Sequence, residues 1–205
     1  MKIPKDWVGK RDAVIVTTKG CVARCTFCHR FEKGYRMRPF EQVIDHIKHL
    51  QEKYNVGFLQ LFDENFGSNV KLTNDIVSEF GKLNIKWRAG GVRARTVNLE
   101  QLKHWKKNGC DYIAYGIESG SQTMLDVMEK NTTTEHNINA LKWTYEAGIS
   151  TNIQLVLAMP GENDKTINET ISFLKQCTPF ISDGFRLSGN YETSMTYAQA
   201  LPGTP

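Results

Sequence analysis

The stretch Gly109-Cys-Asp-Tyr-Ile-Ala-Tyr-Gly-Ile-Glu118-Ser-Gly120-Ser121 sets the pattern of the whole chain. Its middle, Tyr112 to Ile117, is short, aromatic and β-branched, as strands are. Gly109 closes a helix before it, and Glu118-Ser119-Gly120 turns polar after it. The same unit recurs on both sides. Upstream, Ala13–Thr18, Gly57–Phe62 and Ile85–Ala89 read as strands, and downstream so do Thr151–Ala158 and, more weakly, Ser182–Ser188. Helical spacing fills the gaps. Pro39 opens a face of Phe40, Val43, Ile44, Ile47, Leu50 and Tyr54, and Val70, Leu72, Ile76, Val77, Phe80 and Leu83 make the next. Asn98 is the N-cap of a third helix, with Gln101 at the capping-box position. Ser121 caps a short helix containing Met124, Leu125 and Met128, with the two methionines directed to the core. Further helices run from Thr134 to Gly148 and from Asp164 to Lys175, the last with Ile167, Ile171 and Leu174 on one face.

Strict alternation of strand and helix implies a parallel sheet with right-handed crossovers. A full barrel takes ~31 residues per unit, so six units fit this length better than eight. The predicted fold is α/β, a partial (β/α)6 TIM-like barrel of parallel strands, with a doubly wound sheet the alternative that periodicity leaves open. A single core domain is expected over 1–205, truncated at both ends. Polar and glycine residues follow each strand: Gly20-Cys21, Asp63-Glu64-Asn65, Gly90-Gly91 with Arg93, Glu118-Ser119-Gly120, and Pro160-Gly161-Glu162. In parallel α/β folds these ends share one face, and sites are built there.

The 205 residues are 40% hydrophobic and 23% charged, which excludes a disordered tail. A net charge of +4 is too mild to argue for nucleic acid. Arg30, Lys33, Arg36 and Arg38, interleaved with Phe31 and Tyr35, read as a charged loop. The longest apolar run, Leu155–Met159, stops at Pro160, far short of the ~20 residues of a membrane span. Met1 to Asp6 carries no apolar signal region, so the expected compartment is the cytoplasm, where disulfides are rare. Cys110 and Cys177 read as buried small residues, and His46 and His49 as solvated.

The other three of the five cysteines crowd into eight residues, Cys21-Val-Ala-Arg-Cys25-Thr-Phe-Cys28. Three thiolates from one loop can grip a single metal centre. A 4Fe–4S cluster usually takes four, so three would leave one iron open. Zinc is the other possibility, with His29 or another histidine as a fourth ligand in a binding module that contacts RNA. Nucleophilic chemistry needs one activated thiol rather than three.

A C-x3-C-x2-C loop after the first strand, with Phe27 before the last cysteine, resembles the radical S-adenosylmethionine (SAM) superfamily. Tyr35-Arg-Met-Arg38, Leu61-Phe-Asp63-Glu64-Asn65-Phe66, the Gly109–Ser121 stretch, Met159-Pro-Gly-Glu162 and Leu201-Pro-Gly-Thr204 agree with it in order. The likeness is closest to the subgroup that often carries an upstream cobalamin-binding domain. It implies that Cys21, Cys25 and Cys28 hold a 4Fe–4S cluster whose fourth iron takes SAM. Reductive cleavage then gives a 5′-deoxyadenosyl radical that abstracts hydrogen from a substrate. Reaction classes in view are methyl transfer and oxidoreduction. It also implies that Asp63, Glu64 and Asn65 lie where the SAM amino group is met, and that Glu118 faces the ribose. Arg93 is expected at the SAM carboxylate, with Arg88 and Arg95 as rivals; Gln154 reaches ribose or carboxylate, and Phe27 packs near adenine. Ala158 stands where the subgroup has glycine. No Asp-x-His-x-x-Gly occurs, so cobalamin is not supported within this chain. The implied partners are an unidentified substrate and an electron donor such as flavodoxin or ferredoxin, with neither membrane nor nucleic acid expected.

Overall fold

A computed structural model describes residues 9–29, 34–181 and 193–200. Six strands form one parallel sheet: β1 (Arg11–Ile15), β4 (Val56–Leu61), β5 (Lys86–Val92), β6 (Cys110–Glu118), β7 (Ser150–Leu157) and β8 (Thr193–Tyr197), in the spatial order β1-β4-β5-β6-β7-β8. Two-residue strands β2 (Thr18–Lys19) and β3 (Arg36–Met37) form a separate antiparallel pair. Helices α1 (Phe40–Tyr54), α2 (Val70–Lys82), α3 (Leu99–Lys107), α4 (Gln122–Val127), α5 (Thr134–Glu146) and α6 (Asp164–Cys177) fall between the strands. The sheet curls into a half-barrel with its helices interleaved, a partial TIM-like barrel. Neighbouring strands are consecutive along the sheet, so no strand order reverses as it would in a doubly wound sheet.

Helices cover one face of the central strands, while β8 stays exposed, with Met195 41% and Tyr197 72% exposed. Leu59, Trp87, Ile113, Tyr115 and Ile153 of the central strands are fully buried. Phe66, Phe80, Trp87 and Trp105 meet with ring centres 5.3–5.8 Å apart and tilted or edge-on planes, the arrangement aromatic quadrupoles favour. Trp87 Nε1 donates to the Asn108 carbonyl at 2.9 Å and Trp105 Nε1 to Asn74 Oδ1 at 3.0 Å, so neither indole leaves a buried donor unmet.

Helix ends follow side-chain chemistry. Asn69 Oδ1 accepts from Leu72 N and Asn98 Oδ1 from Gln101 N. Gln101 does not complete the capping box expected of it: its amide is buried and makes no hydrogen bond among the described residues. Ser121 occupies the N-cap of α4 but does not cap with its side chain, because its hydroxyl donates to Glu169 on α6 instead. The largest departure is α6. Ile167 and Ile171, expected to face inward, are 41% and 42% exposed, and the helix buries Thr166, Thr170, Phe173 and Cys177 instead. Thr166 and Thr170 satisfy their hydroxyls on carbonyls of their own chain, Asn163 and Thr166, so burial costs them little. The expected strand Ser182–Ser188 lies outside the described residues, and the sixth strand of the sheet is Thr193–Tyr197, which pairs Ile153 with Thr193 through Leu157 with Tyr197. No helix among the described residues is long and apolar enough to cross a membrane.

Candidate active site

The cysteine loop leaves the end of β1 and is pinned at its root. Asp63, just beyond β4, is 4% exposed. Its Oδ1 accepts the backbone N–H groups of Thr17, at 2.7 Å, and of Thr18, and the Thr18 hydroxyl at 2.9 Å. The Thr17 hydroxyl lies 3.2 Å from Oδ2. Burial pushes the Asp63 carboxyl above the usual range, and the threonine donors pull it back in part. Gly91 lies beneath with φ +65°, and a Cβ there would run into the Asp63 carbonyl oxygen, so only glycine fits. The far side of the loop returns through the β2–β3 pair, where Arg38 Nη1 reaches the Val16 carbonyl at 3.1 Å.

Within the loop all three cysteines are free thiols; Cys25 is buried, and Cys21 and Cys28 are half-buried. Cys28 N bonds the Cys25 carbonyl at 3.2 Å, which turns the backbone between the two. Burial pushes the Cys28 thiol up, and Cys25 and Cys21 push it further, while Lys130 draws it down. Among the described residues no three His, Cys, Asp or Glu side chains are already closed into a metal cage. The donor set itself, three soft thiols without a fourth, suits an iron–sulfur cluster with one open iron. The loop is stitched across the sheet: Thr26 N donates to the Met128 carbonyl at 3.0 Å and Thr26 Oγ1 to the Val127 carbonyl at 3.1 Å. Phe27 packs on a small apolar cluster of Met124, Met128, Val156 and Met159.

The Asp63-Glu64-Asn65 trio after β4 divides. Asp63 is spent on Thr17 and Thr18. Asn65 is fully buried, with Oδ1 accepting from Ser68 at 2.7 Å, and its Nδ2 has no partner among the described residues. Glu64 alone stays exposed, and its charge is felt at Cys28. Arg93 donates from Nη2 to the Lys130 carbonyl at 2.7 Å, and Arg95 from Nη1 to the Asn131 carbonyl at 2.7 Å. Arg88 lies deeper, on Gln60, which in turn bonds Asp12. Gln154 is exposed on β7, in register with Gly116.

Glu118 ends β6 with φ +67°, where Ser119 N folds back to the Ile117 carbonyl at 2.9 Å. A non-glycine residue in that region is strained, and such strain gathers at functional sites. Its carboxylate meets Lys130 Nζ at 2.8 Å, with side chains 9% and 12% exposed. Lys130 Nζ also lies 5.8 Å from the centre of the Phe27 ring. Lys130 escaped the sequence analysis; it sits in a polar run, Glu129-Lys130-Asn131, with no periodicity to mark it. Ala158 has φ +61°, so its backbone takes the left-handed shape that glycine adopts freely, and its N–H bonds Glu162 Oε2 at 2.6 Å. Beside the cysteine loop a cavity of about 1110 Å3 opens among Arg24, Tyr35, Asn69, Arg93 and Arg95.

Cys110 and Cys177 are buried away from this edge, as expected, and burial holds the Cys177 thiol up at about 12.

A sequence model described as the radical SAM superfamily matches residues 15–174. The anaerobic magnesium-protoporphyrin IX monomethyl ester cyclase of Cereibacter sphaeroides is 31% identical over 173 residues, 80% of this chain and 28% of that protein. An uncharacterised methyltransferase of Pyrococcus horikoshii is 30% identical over 169 residues, 80% of this chain and 36% of its own length. The chain thus spans about a third of the length of these relatives. Among solved structures, the radical SAM methyltransferase TsrM of Kitasatospora setae superposes with a TM-score of 0.78 at 19% identity, covering 94% of this chain and 35% of that one. The cobalamin-dependent SAM radical enzyme OxsB superposes at 0.70 with 26% identity, covering 85% and 28%. On the match over residues 15–174, the chain belongs to the radical SAM superfamily, whose members among these relatives are enzymes.

Proposed function

We propose that this chain is the core of an enzyme that cleaves SAM reductively. Cys21, Cys25 and Cys28 would hold a 4Fe–4S cluster, the zinc-bearing module being the reading that family membership disfavours. When bound, the cluster supplies the low-potential electron that breaks the SAM sulfonium bond, giving methionine and a 5′-deoxyadenosyl radical that takes hydrogen from a substrate. The observation that carries this is the seating of three free thiols on one loop over the C-terminal edge of a parallel half-barrel.

The chain's own residues divide the work. Glu64, the exposed member of its trio, receives the amino group of SAM, while Asp63 supports the cysteine loop from below and Asn65 holds Ser68. Arg93 faces the SAM carboxylate with the N–H groups it does not spend on the Lys130 carbonyl. Glu118 accepts from the ribose hydroxyls, Gln154 reaches the same end from β7, and Phe27 lies against adenine. The apolar cluster of Met124, Met128, Val156 and Met159 excludes water beneath Phe27. Electrons come from a donor of the flavodoxin or ferredoxin kind. The relatives named as a cyclase and as methyltransferases point to hydrogen abstraction in the service of ring closure or methyl transfer, on a substrate of unassigned identity.

Anaerobic reconstitution tests this. The expected product is a brown protein with about four irons and four sulfides per chain, which with dithionite and SAM releases 5′-deoxyadenosine. Cys25→Ala abolishes both. A colourless protein holding one tightly bound zinc overturns the proposal.

A further inference from the structure

The Lys130 ammonium has no role in the scheme above, yet it is largely enclosed at the site. Its side chain is 12% exposed and its Nζ is held 2.8 Å from Glu118 Oε1. The loop that carries it is fixed on three sides. Lys130 N bonds the Leu125 carbonyl at 3.0 Å, its own carbonyl accepts from Arg93, and Thr26 of the cysteine loop bonds the carbonyls of Val127 and Met128 just before it. The ammonium stands over Phe27, the residue next to Cys28, and its charge reaches the Cys28 sulfur. Gly116 leaves room for the pair: a Cβ there would collide with Glu118 Oε1 and come within 3.1 Å of Lys130 Nζ.

We infer that Lys130 is a positioning residue that links the nucleoside end of the site to the cysteine loop, holding the Glu118 carboxylate for the ribose and setting the charge felt by the cluster. The inference rests on the reading of Glu118 and the three cysteines given above. A carboxylate on a strained, left-handed residue has few ways to keep its direction, and an ammonium at 2.8 Å, itself clamped at its backbone, fixes it. A thiolate-ligated cluster gains negative charge on reduction, so a largely enclosed cation over the ring that precedes Cys28 favours the reduced state and makes the potential less negative. When ribose hydroxyls take up part of the Glu118 charge, more of the Lys130 field falls on the cluster. Nucleoside binding and reducing power are then coupled through one side chain.

The test compares reconstituted wild type with Lys130→Met and Lys130→Arg. The readouts are iron and sulfide content, SAM dissociation constant, and the midpoint potential from EPR-monitored redox titration with and without SAM. Lys130→Met is expected to load its cluster, bind SAM about tenfold more weakly for want of one charged hydrogen bond, and show a more negative potential that responds less to SAM. Lys130→Arg keeps the charge and restores the potential. If Lys130→Met folds poorly, Glu118→Gln is compared with Glu118→Gln/Lys130→Gln, a pair of neutral amides of similar shape, and the same negative shift is expected between them. Equal potentials and equal SAM affinities in variants that hold a full cluster overturn the inference and leave Lys130 a structural ion pair. A wild type that takes up no iron fails the functional reading itself and is seen in the metal analysis before any potential is measured.

Discussion

The carboxylate of Asp63, at the end of β4, takes the backbone N–H of Thr17, at the end of β1, at a distance of 2.7 Å. The cysteine loop begins four residues after Thr17, so one side chain from the neighbouring strand fixes where that loop starts. Oδ1 serves Thr17 N, Thr18 N and the Thr18 hydroxyl, and Oδ2 faces the Thr17 hydroxyl. A proton on Oδ2 can be donated to that hydroxyl, which agrees with the upward direction of the Asp63 pKa under burial. The substitution Asp63→Asn puts an amide N–H where that proton sits. It is therefore expected to cost less than about 1.5 kcal/mol, and Asp63→Ala, which strands two buried amides, about 2–4 kcal/mol. The pH dependence has a definite sign. A carboxyl raised on folding stabilises the native state in acid, and that contribution is lost as pH rises from the ordinary carboxylate value through the raised one. Urea unfolding from pH 4 to 7.5 should show the advantage of wild type over Asp63→Asn shrinking; an advantage that grows contradicts it.

The thiols should react in two classes. Cys21 and Cys28 are half-buried on the loop, whereas Cys110 and Cys177 are enclosed, with pKa values pushed up by burial. Iodoacetamide on the native metal-free protein at pH 8 is expected to label the loop cysteines first, Cys25 the slowest of the three. Cys110 and Cys177 should be labelled only in denaturant. Peptide mass spectrometry reads the order, and early labelling of Cys177 would contradict its enclosure.

Ala158 carries a left-handed backbone that costs an alanine ~1–2 kcal/mol. Glycine removes this cost and adds ~0.4–1 kcal/mol of unfolded-chain entropy. Ala158→Gly is expected to stabilise by up to about 1 kcal/mol, raising Tm by a few degrees in calorimetry. A fall in Tm would mean that the methyl group packs against something of value.

Helix α6 supplies a contrast between its two faces. Phe173 is 4% exposed and touches the backbone turn at Gly120, where an added Cβ would strike it. Phe173→Ala should cost ~3–5 kcal/mol. Ile171→Ser, on the 42% exposed face, should cost less than about 1 kcal/mol. Equilibrium unfolding of the two variants decides whether the polar or the aliphatic stripe faces inward.

That stripe also shows where sequence patterns misled. Apolar spacing selects Ile167, Ile171 and Leu174, but a threonine whose hydroxyl bonds a carbonyl one turn back is buried almost as readily as valine, and no hydropathy pattern registers that bond. Five of the six parallel strands were legible, because each ends at a polar or glycine turn that period-2 patterning makes visible. Thr193–Tyr197 was not, since its threonines, serine and tyrosine carry no alternation of hydrophobic and polar. At the site, the cysteine loop and the acidic segment stood out by spacing. Which of Asp63, Glu64 and Asn65 stays exposed did not, because it is settled by Thr17 and Thr18 at a separation of more than forty residues. Lys130 was invisible for the same reason, since its partner lies twelve positions away across a loop and a short helix.

The stitch from Thr26 to Val127 spans 101 positions. A ribosome adding ~5–20 residues per second takes several seconds to cover that interval. For most of it the three thiols are out of the exit tunnel, with the loop root fixed on Asp63 but its far side not yet stitched to Val127 and Met128. Assembly of an iron–sulfur cofactor on the nascent chain would therefore act on a loop held at its root alone, and delivery after synthesis has passed Met128 is the order that this architecture rewards.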